Sequence, residues 1–182
     1  MNKAIGMVEY KSVAIGIEAA DTMLKAARID ILEAQTVCPG KYIVLISGDI
    51  SAVETAVKAT KDQFEVHLID SFVLGNPHDS IFSAMYGTAD IKEIQALGIM
   101  ETFSAASIIV AADVVAKTSA VELIELRIAK GMCGKSYLLV TGKVEAVNTA
   151  IKQAKVEIGE DGMFLESAVI ASPHKKLMEK IL

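Results

Sequence analysis

Two cysteines are the residues best suited to chemistry in this sequence, and both stand beside glycines: Cys38-Pro39-Gly40 and Gly131-Met132-Cys133-Gly134. A thiolate is a soft metal ligand. One turn cysteine cannot hold a metal by itself, however, and a free cysteine is commonly an inert small hydrophobe. Cys133 stays open between a second ligand, a spare thiol and buried filler. Two cysteines do not make a disulfide framework. Gly134-Lys135-Ser136 has the ending of a phosphate-binding loop, but Ala129 stands where the first glycine belongs. The run also continues into the strand-like Tyr137-Leu138-Leu139-Val140 instead of a helix whose first amides would cradle phosphate. Nucleotide binding is excluded. His67 has no second ligand at useful spacing, and His78 and His174 each follow a proline. No Ser/His/Asp set, paired carboxylates, HExxH or GxGxxG is present, so the sequence does not read as an enzyme.

The elements that must position these residues are bounded by composition. The chain has 182 residues, 52% hydrophobic and 23% charged, with net charge −5. Its mean hydropathy is +0.43. No basic block is visible, which excludes a nucleic-acid surface. The longest apolar stretch, Ala105 to Ala116, is interrupted by Asp113, so no membrane helix is expected. The surplus of apolar residues instead predicts extensive subunit contacts. The sequence opens with strand-like residues from Ala4 and not with a leader-like apolar region, which predicts a cytoplasmic protein with reduced cysteines.

Self-comparison shows a duplication: 4–37 against 96–129, 40–61 against 134–155, and 66–78 against 162–174, with 25 identities in 69 aligned positions. The alignment shifts at the two cysteine loops and again near Glu160, where insertions belong. Each copy reads strand, helix, strand, strand, helix, strand. The first helix shows an apolar face of Val13, Ile17, Ala20, Leu24 and Ala27. The second begins after Gly48, with Asp49 or a Ser51–Glu54 capping box at its start, and carries Ile50, Val53, Val57 and Phe64. The second copy repeats these faces at Ala105/Ile109/Ala112/Ala116 and Val144/Val147/Ile151/Ala154. The fold class predicted is α+β: two tandem ferredoxin-like domains, 1–86 and 95–182, each a four-stranded antiparallel sheet with helices on one side. Ser83 to Gln95 joins them. Lys25 and Lys117, Glu9 and Glu101, and Asp21 and Asp113 recur in both copies. A helix lysine is ordinarily a solvated residue, and the duplicated acids read as structural.

The doubled order Ala4-Ile5-Gly6-Met7-Val8-Glu9, Ala19-Ala20-Asp21 with Lys25, Ser47-Gly48-Asp49-Ile50 and Pro77-His78 resembles the bacterial microcompartment (BMC) shell domain. The second copy matches with Ala96-Leu97-Gly98-Ile99-Met100-Glu101, Ala111-Ala112-Asp113 with Lys117, Thr141-Gly142 and Pro173-His174. The resemblance implies a pseudo-hexameric homotrimer that tiles with other BMC shell proteins into the facets of a cytoplasmic microcompartment. It also implies a facet edge with Lys25, Lys117, His78 and His174, and a central pore lined by Val37, Cys38, Pro39, Gly40, Gly131, Met132, Cys133 and Gly134. The Cys-Pro-Gly turn is similar to that of a subgroup from propanediol-utilisation compartments. For that subgroup it implies a metal site: Cys38 of three subunits holding one [4Fe–4S] cluster per trimer, which passes electrons across the shell to or from encapsulated redox enzymes. The sequence departs from the family at Gly131-Met132-Cys133-Gly134, and at Asn76 and Ser172, where an arginine is usual before Pro-His. Two other readings stand beside this one: a cluster-free tile whose pore passes small metabolites, and a tandem ferredoxin-like regulatory or ligand-binding protein.

Overall fold

The computed structural model describes residues 4–159 and 163–181. Its elements run β1 (Ala4–Tyr10), α1 (Val13–Ala26), β2 (Ile29–Val37), β3 (Lys41–Gly48), α2 (Ile50–Gln63), β4 (Leu68–Leu74), α3 (Ser80–Met85), β5 (Ala96–Thr102), α4 (Ala105–Thr118), β6 (Val121–Arg127), β7 (Ser136–Gly142), α5 (Val144–Gly159), β8 (Phe164–Ile170) and α6 (Lys175–Ile181). Two four-stranded sheets form, ordered β2-β3-β1-β4 and β6-β7-β5-β8. All strand pairs are antiparallel, with β1 against β3 from Ala4↔Gly48 to Tyr10↔Tyr42, and β5 against β7 from Ala96↔Gly142 to Thr102↔Ser136. This is the split β-α-β topology expected from the duplicated pattern.

The chain packs as two compact units. The first holds the chain through Pro77, together with Ser104–Ser107 and Ala129–Lys135, and the second holds His78–Phe103, Ile108–Ile128 and the chain from Ser136 onward. Sequence copies and packing units are therefore cut differently. Two short pieces of the second copy, one a helix start and one a loop, pack with the first.

In the first unit, central strand β1 is buried along its whole length, whereas edge strand β2 alternates. Ala19, Ala20 and Met23 of α1 and Val53, Ala56 and Val57 of α2 cover one sheet face with Ala4, Val8, Val44 and Ile46. The helices approach closely because small residues stand opposite them. A Cβ on Gly6 would lie 2.7 Å from Val53 Cγ1, and one on Gly16 would lie 2.3 Å from Tyr42 Cβ. The apolar face expected on α1 is therefore corrected. The helix buries Gly16, Ala19, Ala20 and Met23, while Ile17 and Leu24 stay 54% and 50% exposed. Periodicity marks an apolar stripe on a helix, but glycine and alanine let the neighbouring stripe sit nearer the sheet. On α2, Val53, Val57 and Phe64 are buried as expected, and Ile50 remains exposed. Asp49 takes the N-cap position of α2 without a side-chain bond, and Ser51 lies inside the helix, so neither expected cap forms.

In the second unit α5 lies against β5, where a Cβ on Gly98 would meet Val147 Cγ1 at 2.6 Å. The opposite face carries Leu97, Ile124 and Leu139, packed by Met178 of α6 and flanked by Ile91 and Ile94. Helices on one side thus describes α1, α2 and α5 relative to their own sheets, and α6 is an addition on the other face. The joining segment also begins later than expected, because Ser83 lies inside α3. No helix among the described residues is long and apolar enough to cross a membrane.

Candidate functional site

The first unit brings the two cysteine loops together. Strand β2 ends at buried Val37, whose carbonyl accepts the Gly40 N–H at 2.9 Å and closes the turn. Gly40 has φ +99°, and the Cys38–Pro39 peptide is cis. Left-handed backbone suits glycine because a Cβ is absent. The second loop is richer in such positions: Ala129, Gly131, Cys133 and Gly134 have φ of 49°, 72°, 52° and 86°. Its Lys135 N–H donates to the Met132 carbonyl at 3.1 Å.

A backbone hydrogen bond ties the two loops together. The Cys38 N–H donates to the Ala129 carbonyl at 3.1 Å. Gly134 passes so close that a Cβ there would stand 2.9 Å from the Cys38 carbonyl oxygen. Thr36, Val37, Cys38, Pro39, Gly40, Lys130 and Gly131 line a shallow cavity of about 330 Å³. Five of the eight residues expected at a pore therefore share one surface. Met132 is half-buried, Gly134 is buried and Cys133 is exposed. Exposure removes buried filler from the readings of Cys133. Lys130 was not expected here; its signal was only its place before Gly131 in the glycine-rich run. Gly134-Lys135 leads directly into strand β7, as the exclusion of a phosphate loop required.

Cys38 is a half-buried free thiol on this surface. Its amide is bonded to the second loop, and no carboxylate lines the cavity. A soft thiolate without a competing carboxylate fits one corner of an iron–sulfur group. Among the described residues no group of three His, Cys, Asp or Glu could hold a metal ion, so one chain offers a corner and not a cage.

The other recurring residues make local contacts of their own. Lys117 Nζ is 2.6 Å from Asp113 Oδ2, and the other oxygen of Asp113 accepts the His78 N–H at 2.9 Å. His78 Nδ1 lies 2.8 Å from Ser80 Oγ, and His174 Nδ1 accepts the Lys176 N–H at 3.2 Å. Lys25 pairs with Asp21 at 2.5 Å, with side chains 74% and 58% exposed. His67 ends a short 3-10 turn and is exposed.

Sequence reasoning read Glu9 only as a duplicated structural acid. It is fully buried. One oxygen holds Lys41 Nζ at 2.8 Å and the other accepts the Ala105 N–H at 2.8 Å, at the start of α4. Asp70, its cross-strand neighbour, accepts the hydroxyls of Ser104 and Ser107.

The second unit holds a larger open cavity, of about 730 Å³, over the sheet face beside α6. Ile99, Glu101, Glu125, Arg127, Tyr137 and Lys180 are among its walls. Glu125 accepts Tyr137 Oη and Arg127 Nη2, each at 2.7 Å. Burial, then the Glu125 carboxylate, pushes Tyr137 up to about 12, against a smaller lowering by Arg127.

Comparison with known proteins gives a consistent answer. The BMC domain family matches twice, over residues 4–77 and 96–173. The bacterial microcompartment shell protein PduT of Citrobacter freundii is 39% identical over 182 residues, covering 100% of this chain and 99% of the relative. The crystal structure of a microcompartments protein from Desulfitobacterium hafniense superposes with TM-score 0.84 at 47% identity, covering 98% of this chain and 99% of that one. A fused, permuted hexameric shell protein of the RMM microcompartment shares the fold, with TM-score 0.66 at 17% identity over 87% of this chain and 82% of that one. Two matched domains, a full-length relative and the duplicated sheets together settle the family: this chain belongs to the BMC-domain family, the family of the bacterial microcompartment shell proteins.

Proposed function

We propose that the chain is a tandem-domain facet tile of a cytoplasmic microcompartment. Three copies close around a pore lined by Val37, Cys38, Pro39, Gly40, Gly131, Met132, Cys133 and Gly134. Lys25, Lys117, His78 and His174 sit toward neighbouring shell proteins at the facet edge. The full-length likeness to a shell protein supports the tile. Its role is structural, without a catalytic centre of its own.

Within the pore we assign the Cys38 thiolates of three copies to one [4Fe–4S] cluster, with encapsulated redox enzymes as the electron-exchange partners. When bound, such a group supplies one-electron transfer at a potential set by its ligands, hydrogen bonds and exposure. One observation carries this reading: Cys38 stands on a half-open surface, anchored through its amide to the Ala129 carbonyl and without a carboxylate in the lining. Lys130, on the same lining, places positive charge where an anionic group would sit.

The test is purification without oxygen, with iron and sulfide counted per assembly and Cys38→Ser alongside. About four irons per three chains are expected, with their loss in the variant while the assembly persists. Colourless protein after reconstitution would leave a cluster-free pore for small metabolites. Gly40 and Gly131 favour that second reading, since no atom beyond their chain neighbours stands within 4 Å of where a side chain would begin.

A further inference from the structure

The two cysteine loops converge on a lysine that is not part of their cavity lining. The place a Cβ would take on Gly134 lies 2.9 Å from the Cys38 carbonyl oxygen and 3.0 Å from both Cε and Nζ of Lys41. Lys41 opens β3, and its side chain is 17% exposed. The backbone of the cysteine turn, the second loop and the lysine ammonium thus meet around one point. Gly40, the counterpart of Gly134, meets nothing within 4 Å beyond its chain neighbours. The close approach is therefore particular to the loop that passes Lys41.

The ammonium is held from the sheet. One oxygen of Glu9 accepts from Lys41 Nζ at 2.8 Å, and the other accepts the Ala105 N–H at 2.8 Å. Glu9 is fully buried on the central strand β1, so two partners and burial fix the carboxylate and, through it, the lysine head. Two of the three atoms nearest the Gly134 position belong to Lys41 and none to Glu9. The ion pair presents its cationic end to the loops. Asp70, the neighbour of Glu9 across β1 and β4, is committed to the hydroxyls of Ser104 and Ser107. No carboxylate lines the cavity that holds Cys38, and its charged side chain is Lys130. A charge in a partly buried site acts more strongly than the same charge in bulk water.

We propose that Lys41 is a positioning residue of the Cys38 site: it seats the cysteine turn against the second loop and keeps the surroundings of the thiolate electropositive, which favours an anionic group on the sulfur. This role rests on the reading of Cys38 as a ligand put forward above. Glu9 sets the strength of the effect, because its charge opposes that of Lys41. Removing one charge or the other moves the local potential in opposite directions, which a loss of packing does not do.

The test uses the full chain carrying Cys133→Ser, which leaves Cys38 as its only thiol. The metal-free protein is alkylated with iodoacetate and, separately, with iodoacetamide. The reagents differ in charge and react with the same thiolate, so the ratio of their rates reads the potential at the sulfur. Lys41→Met should lower the iodoacetate-to-iodoacetamide ratio roughly threefold. Glu9→Gln, which keeps an acceptor for the Ala105 N–H, should raise it, and Lys41→Arg should hold it near wild type. The double variant Lys41→Met with Glu9→Gln removes both charges without leaving one buried alone; its ratio should fall between those of the two single variants. Lys130→Met reports the charge of the cavity lining separately. A ratio that moves only in Lys130→Met, or in the same direction in Lys41→Met and Glu9→Gln, overturns the role of Lys41. Protein prepared without oxygen gives a second readout. Its midpoint potential should be more negative in Lys41→Met and more positive in Glu9→Gln, since reduction adds negative charge beside the cation. Equal potentials in all variants would also overturn that role. Wild type that never retains iron, with the alkylation ratios as expected, overturns the cluster and leaves the effect of Lys41 on the thiolate standing.

Discussion

The carboxylate of Glu9 accepts the backbone N–H of Ala105 at 2.8 Å, 96 positions further along the chain. A helix start leaves its first amides without intrahelical partners, and a buried acid from a central strand satisfies one of them here. The same side chain neutralises Lys41, which is only 17% exposed. Glu9→Ala should therefore lower the unfolding free energy by about 2–3 kcal/mol, since hydrogen bonds to a buried charged group are lost. Urea unfolding followed by circular dichroism measures it, and a loss below about 0.5 kcal/mol would show that the contact contributes no more than an average surface site.

Gly16 makes a second stability prediction. Its missing Cβ is what lets α1 reach Tyr42. Gly16→Ala gains about 1 kcal/mol of helix propensity but forces overpacking of about 1–3 kcal/mol or more. The net expectation is a lower urea midpoint. A midpoint above wild type would mean that the helix moves away from the sheet at little cost.

Tyr137 sets a pH dependence. Its pKa is raised from the ordinary 10.0 to about 12. Below the unfolded value both states keep the proton, so its contribution to stability is complete there. As pH climbs from 10 toward about 12 the unfolded chain ionises first, and stability falls. Urea midpoints at about pH 9 and about pH 11 should drop further in wild type than in Tyr137→Phe. Equal drops would place the alkaline loss elsewhere.

Cys133→Ser should leave the iron content of anaerobically prepared protein unchanged, because Cys133 is exposed and is not among the residues lining the Cys38 cavity. Loss of iron in that variant, measured beside Cys38→Ser, would make Cys133 a ligand and change the donor count.

Much of this was legible in the residues. The strand, helix, strand, strand, helix, strand order read for each copy is the order observed, and the duplicated Pro-His and Gly positions placed both copies in register. The β2–β3 turn was visible because Pro39 and Gly40 cannot continue a strand. α3 and α6 were not visible. Each spans six or seven residues, too short to impose a period, and each forms only because an apolar face is there to receive it.

The sequence by itself determined the duplication, the order of the strands and of the four longer helices, the exclusion of a phosphate loop and the family. These rest on local spacing and on the comparison of one copy with the other. Only the tertiary structure decided that the Ala129 carbonyl anchors Cys38, that Glu9 caps α4, and that α1 turns Gly16, Ala19 and Met23 inward while Ile17 faces out. The physical reason is that an apolar stripe records burial without recording by what. The stripe on α1 and the stripe on α4 follow the same spacing, but the chain itself covers only the second.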